Sequence, residues 1–191
     1  MGSKRVGLAR TQALLENLKR EINFGGGASS FKNIKSNANV TVRSATTAHD
    51  LTATSGDLTV IYTGTIDGNV TLPQATAANV GMVIKVIYSA TASNTARKLG
   101  FTNAGSTVIT GNLTVGALDA GAGDENISFA ITNNSKIIAI DANDATGGGG
   151  AAGSTYTFTY FGADTVFCEA HALVTTGTPA PDAASTSATG I

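Results

Sequence analysis

The chain has 191 residues, only 13% of them charged, and a net charge of −1; that length suits one domain with an appendage, and that balance gives no global signature for nucleic acid or a membrane surface. Gly, Ala, Ser and Thr fill 95 positions and there is no Trp, so the core of a single copy is expected to be thin and to be supplemented by burial against identical copies. The single cysteine, Cys168, excludes an intrachain disulfide, the N-terminus lacks the apolar segment of a signal peptide, and no apolar run approaches the ~18 residues needed to cross a bilayer.

Charge divides along the chain: residues 1–35 carry a net +5 and residues 36–191 a net −6. Residues 6–23 have the pattern of a helix. Leu8, Leu15, Leu18 and Ile22 recur at helical spacing, good helix formers fill the positions between them, and Gly25-Gly26-Gly27 stops the run. Roughly two heptads are too short for a coiled coil that stands alone, so this segment needs a surface to dock on, either its own copies or a partner. Lys4, Arg5, Arg10, Lys19 and Arg20 are placed to meet an acidic surface while the apolar stripe fills a groove; the plainer alternative is a solvated face on a self-associating helix. Residues 1–24 are thus an expected basic anchor and residues 25–37 a Gly/Ser linker.

From residue 38 to 174 the chain changes character, with short β-branched and aromatic segments separated by Gly, Asn, Asp and Ala. Strands are expected around Val40 and Val42, over residues 58–62 and 82–88, over 127–131, over 136–141, at Tyr156, Phe158 and Tyr160, and over 166–173. Regular spacing with turn signals and no strand–helix alternation predicts an antiparallel β-sandwich or barrel. The stretch 145–153 (ATGGGGAAG) is expected as a loop, and residues 175–191 as an extended arm or mobile end.

The segment from Gly68 to Ile109, GNVTLPQATAANVGMVIKVIYSAT followed by GFTNAGSTVI, and the later NNSKIIAID, resemble the small β-modules at the tips of phage fibres and on phage head surfaces. The N-terminal KRVGLARTQALLENLKREI is similar to the start of structural proteins of marine tailed phages. The resemblance implies a homotrimer on a virion surface, with a Leu72-Pro73 corner and a strand opened at Gly81 that packs at the three-fold axis. Its implied subunit seam uses Leu72, Pro73, Ile84 and Val86, to which Tyr156, Phe158 and Tyr160 of the later aromatic strand are added as candidates, and its implied partner is the major capsid protein or another virion protein, with neither nucleic acid nor membrane bound. The expected function is a capsid decoration or head-fibre protein; the alternative is a tail-fibre tip that binds a host surface glycan.

No catalytic constellation stands out, so an enzyme is not expected, nor a cofactor or resident metal. His49 and His171 are the only histidines. Cys168 lies three residues from His171, and odd spacing on a strand sends the two side chains to opposite faces. Asp141, Asn143 and Asp144 depart from a calcium loop, since no Glu closes it. Asp119, Asp124 and Glu125 are acidic loop residues that would concentrate charge only on a trimer axis. GGGGAAG lacks the Gly-Lys-Ser/Thr and the helix of a phosphate loop. Tyr156, Phe158, Tyr160 and Phe161 fit a strand whose alternate side chains pack in the core or at the subunit seam better than a glycan-binding surface.

Overall fold

The computed structural model describes residues 39–44, 47–65, 68–91, 97–117, 127–131, 134–140, 149–175 and 186–191. The expected anchor with Lys4, Arg5, Leu8, Arg10, Leu15, Leu18, Lys19, Arg20 and Ile22, the linker, and the acidic residues 119, 124, 125, 141 and 144 lie outside them. Within the compact unit Asn37–Ile191 the described chain is mainly β. In order it forms β1 (Asn39–Arg43), β2 (His49–Asp50), β3 (Leu58–Tyr62), β4 (Val70–Thr71), β5 (Val83–Tyr88), β6 (Arg97–Gly100), β7 (Val108–Ala117), β8 (Ile127–Ala130), β9 (Ile137–Ile140), β10 (Thr155–Tyr160), β11 (Thr165–Val174) and β12 (Thr186–Ser187), with a 3-10 turn at Ala77–Asn79.

Two sheets result, a seven-stranded one ordered β1-β3-β5-β10-β11-β7-β8 and a five-stranded one ordered β12-β9-β6-β4-β2. The first seven strands alternate between them. From β1 to β6 each strand pairs with the next strand of its own sheet, two further on in the chain, which returns in the same direction after a passage through the other sheet. This makes β1, β3 and β5 parallel neighbours, and β2, β4 and β6 likewise. Partner positions Asn39, Leu58 and Ile84 advance by 19 and then 26 residues, so the coils widen along the chain. The second half closes mostly antiparallel, with β10 between β5 and β11 and with β7 against β8, although β7 and β11 again run parallel over ten residues each. The expected antiparallel β-sandwich or barrel is thus corrected to two mixed sheets. Parallel pairing requires a crossover, and here a strand of the opposite sheet supplies it.

One buried cluster draws on both sheets: Val60, Tyr62, Ile84, Val86, Phe158 and Tyr160 from the larger, Val70, Leu99, Ile138 and Ile140 from the smaller. Size matching organises it. On β10 every second residue is a bulky aromatic, and its register partners on β11 are small: Tyr156 lies beside Ala170, Phe158 beside Cys168, and Tyr160 beside Val166. All six have at most 5% of their surface exposed, so large rings fill the space that small neighbours leave. The scarcity of large side chains is met by concentrating them in one layer.

The tyrosine hydroxyls reach partners as buried polar groups must. Tyr156 donates to the carbonyl of Gly149 at 2.8 Å. Tyr160 donates to the carbonyl of Pro73 at 2.9 Å, which ties the Leu-Pro corner to β10. At the other end of that corner Gly81 adopts φ +92°, a conformation that favours glycine, and its N–H donates to the carbonyl of Tyr160 at 2.7 Å. Tyr160→Phe leaves the buried Pro73 carbonyl without its hydroxyl donor and is expected to cost about 1–3 kcal/mol, measured by urea denaturation against the parent chain.

The chain's end is tied down rather than mobile. Thr186–Ser187 pairs with β9, Ile191 donates to Phe101 at 2.9 Å and accepts from Asn103 at 3.3 Å through its backbone, and Lys98 Nζ donates to the Gly190 carbonyl at 3.2 Å. Thr186–Ser187 therefore forms an edge of the five-stranded sheet. Residues 149–153, expected as part of a loop, buttress the core, with Ala151 fully buried.

Candidate functional site

All seven residues expected at a subunit seam point into the interior of a single copy. Leu72, Ile84, Val86, Tyr156, Phe158 and Tyr160 have no exposed surface, and Pro73 is buried beside Leu72. Side chains without accessible surface in one chain cannot contact a second, so any seam between copies is built from other residues. Of the two places open to the aromatic strand, core or seam, Tyr156, Phe158 and Tyr160 take the core, where a protein with few large side chains needs them first.

The opposite, outward positions of the seven-stranded sheet form the most developed surface. Registers across β10, β11, β7 and β8 align them into rows. One row runs Thr159, Phe167, Thr110. The next runs Thr157, Glu169, Asn112, Ala130, and the third Thr155, His171, Thr114, Ser128. Because the inward positions of β11 are taken by Val, Cys and Ala, its larger residues stand outward: Phe167 is 39% exposed, and Glu169 and His171 are exposed. The face holds a depression of about 660 Å³ bounded by these rows. A second, smaller one of about 250 Å³ lies beside it over Asp57, Thr59, Val83 and Lys85, with Thr157 common to both. Thr114 and Ser128 hydroxyls are hydrogen-bonded at 2.9 Å on the floor.

Cys168 and His171 lie on opposite faces of β11, as their spacing requires. The thiol is buried in the core and burial pushes its ionisation far up, so it is a packing group without nucleophilic character. His49 is also a core residue. It is buried, with Nδ1 2.7 Å from the Tyr62 hydroxyl and its ring edge-on to Tyr62 at 5.8 Å. Tyr62 stacks on Tyr88 at 5.6 Å, and Tyr88 meets Tyr156 edge-on at 6.0 Å. Burial lowers the His49 pKa from 6.5, the Arg43 charge lowers it further, and Asp50 partly opposes both. The native state therefore holds this imidazole neutral where the unfolded chain would protonate it. Stability is expected to be complete above about pH 6.5 and to fall as pH drops below that value. A His49→Gln variant should lose that part of the acid sensitivity, read from unfolding free energies at pH 5 and pH 8.

Among the described residues no group of three or more His, Cys, Asp or Glu side chains is placed to hold a metal ion, and no helix is long and apolar enough to cross a membrane. Phe167, Glu169, Asn112, Thr114 and Ser128 belong to no motif, and strand pairing alone brings them together. The available signal was the alternation of β11, Val-Phe-Cys-Glu-Ala-His-Ala-Leu-Val, in which the large residues share one face and the small ones the other. No protein-family model, curated protein or solved structure matches the chain.

Proposed function

We propose that the chain is a structural display protein of a virion, a capsid decoration or head-fibre protein that docks through residues 1–24 and presents the β-body as a homotrimer. The observation that carries this reading is the division of the chain into a basic, amphipathic N-terminal segment and an acidic body. Residues 1–35 carry +5 and residues 36–191 carry −6, and the compact unit Asn37–Ile191 closes its core from its own strands. The resemblance of the Leu72-Pro73 and Gly81 region to phage β-modules supports the same reading.

Oligomerisation, on this account, uses the edge rather than the aromatic strand. Val40 and Val42 on β1 are 50% and 61% exposed, and β1 lies at the edge of the seven-stranded sheet. An edge strand with exposed apolar side chains is a liability unless covered, and on this account a neighbouring copy covers it.

The test compares the full chain with a form lacking residues 1–24, for attachment to phage particles and for sedimentation. The account expects a trimer in both and attachment in the full chain alone. Retained attachment of the shortened form, or a monomeric full chain, contradicts it.

A further inference from the structure

Along the outward face of β11, Phe167, Glu169 and His171 follow one another two residues apart, so their side chains repeat about every 6.8 Å along the strand. Shorter side chains flank this column, Thr155 and Thr157 from β10 and Asn112 from β7. Together they border the depression of about 660 Å³, a volume in the range of small-ligand sites.

We infer that this depression binds a neutral oligosaccharide laid along β11, with one sugar ring against Phe167 and its neighbours' hydroxyls on Glu169, His171 and Asn112. A sugar ring has an apolar C–H face and a rim of hydroxyls. The exposed ring of Phe167 suits the first. A carboxylate that only accepts, an amide that does both, an imidazole and threonine hydroxyls suit the second, because every sugar hydroxyl both donates and accepts.

Charge selects among ligand classes. Glu169 is the one carboxylate among the described lining residues, and none of them is Lys or Arg. An anionic glycan or a phosphate meets a like charge there, and the outward cation of that row, Lys85, stands beyond Thr157, two strands from Glu169. A polycation finds a single carboxylate. A second protein chain is a poorer match, since the centre of a protein–protein seam is depleted of charge and rich in large apolar groups, whereas this centre is Glu169 among hydroxyls and an amide. The most exposed aliphatic side chains of this sheet, Val40 and Val42, lie on its far edge strand. The inference does not rest on the oligomeric reading above.

The experiment presents the full chain to an array of neutral, sialylated and sulfated oligosaccharides, then repeats the strongest interaction by calorimetry with Phe167→Ala, Glu169→Ala and Phe161→Ala. Phe161 is the control, since it is 55% exposed but outside the depression. The expected result is binding confined to neutral sugars, weakened at least about tenfold by Phe167→Ala and by Glu169→Ala and unchanged by Phe161→Ala, with melting temperatures held. Absence of binding to every neutral oligosaccharide overturns the inference. So does full binding by both groove variants, or a preference for acidic sugars. Dissociation of oligomers by Glu169→Ala also overturns it and assigns the face to a second copy.

Discussion

Gly111→Ala is expected to destabilise the body by about 3 kcal/mol or more, lowering its melting temperature by roughly 6–12 °C. Gly111 sits in β7 with φ +133°, opposite Cys168 of β11, and a Cβ built there lands on the Cys168 carbonyl oxygen. That atom belongs to the backbone of a strand bonded on both sides, so it cannot move aside as a flexible side chain would. Positive φ and steric conflict act together, within the longest strand pairing of the fold. Gly56→Ala is the comparison, since nothing lies within 4 Å of its added Cβ; it should change stability by no more than about 0.5 kcal/mol. Thermal melts of the two variants side by side measure the difference. Equal melting temperatures would mean that β7 and β11 are not paired in this register.

Phe158→Ala is expected to cost about 3–5 kcal/mol. The ring has no exposed surface and sits on the strand between β5 and β11, in register with Ile84 on one side and Cys168 on the other. A small partner cannot swell to fill the cavity, so the neighbouring strands must collapse inward or leave it empty. The dependence on protein concentration decides between two locations for this ring. In the core of one chain the loss is unimolecular, and denaturation midpoints shift equally at low and high concentration. At a subunit seam the loss would be largest in dilute solution and recovered by concentration.

Much of the fold was written in alternation. Residues 156–160 announce a strand because aromatic residues alternate with threonines, residues 58–62 because Leu58, Val60 and Tyr62 alternate with Thr59 and Ile61, and the run Val166 to Val174 because small residues alternate with larger ones. What alternation does not carry is partnership. The parallel coils of β1 to β6 leave no repeat of fixed length, since the coils widen, so the expectation of antiparallel pairing holds for β10 with β5 and β11, β7 with β8 and β6 with β9 but not for these coils. The strands β2, β4 and β12 have two residues each, too few to show a period, and Arg97-Lys98-Leu99-Gly100 is a strand because Leu99 pairs with Ile138 and Val70, a fact its own composition does not contain. In β7 the period is blurred by Gly111 and Asn112.

The outward face was less legible than the core because its side chains are ordinary. Thr155, Thr157 and Asn112 are what any solvent-facing strand carries, and only the pairing of β10, β11 and β7 sets them around Phe167, Glu169 and His171. The inward aromatics drew attention through their size, yet size is why the core of a small-residue protein claims them. The choice of face on β11 turns on the neighbour: bulky residues on β10 force small ones beside them and send the larger residues of β11 outward.

The most direct test of the display account is the composition of the particle itself. Quantitative peptide mass spectrometry of purified virions, referenced to the major capsid protein, should find this chain at a fixed ratio close to one copy, or one trimer, per repeating position of the shell. Absence from the particle, or a presence limited to the few copies of a tail or a single vertex, would contradict the account and make recognition of the host the better explanation of the β-body.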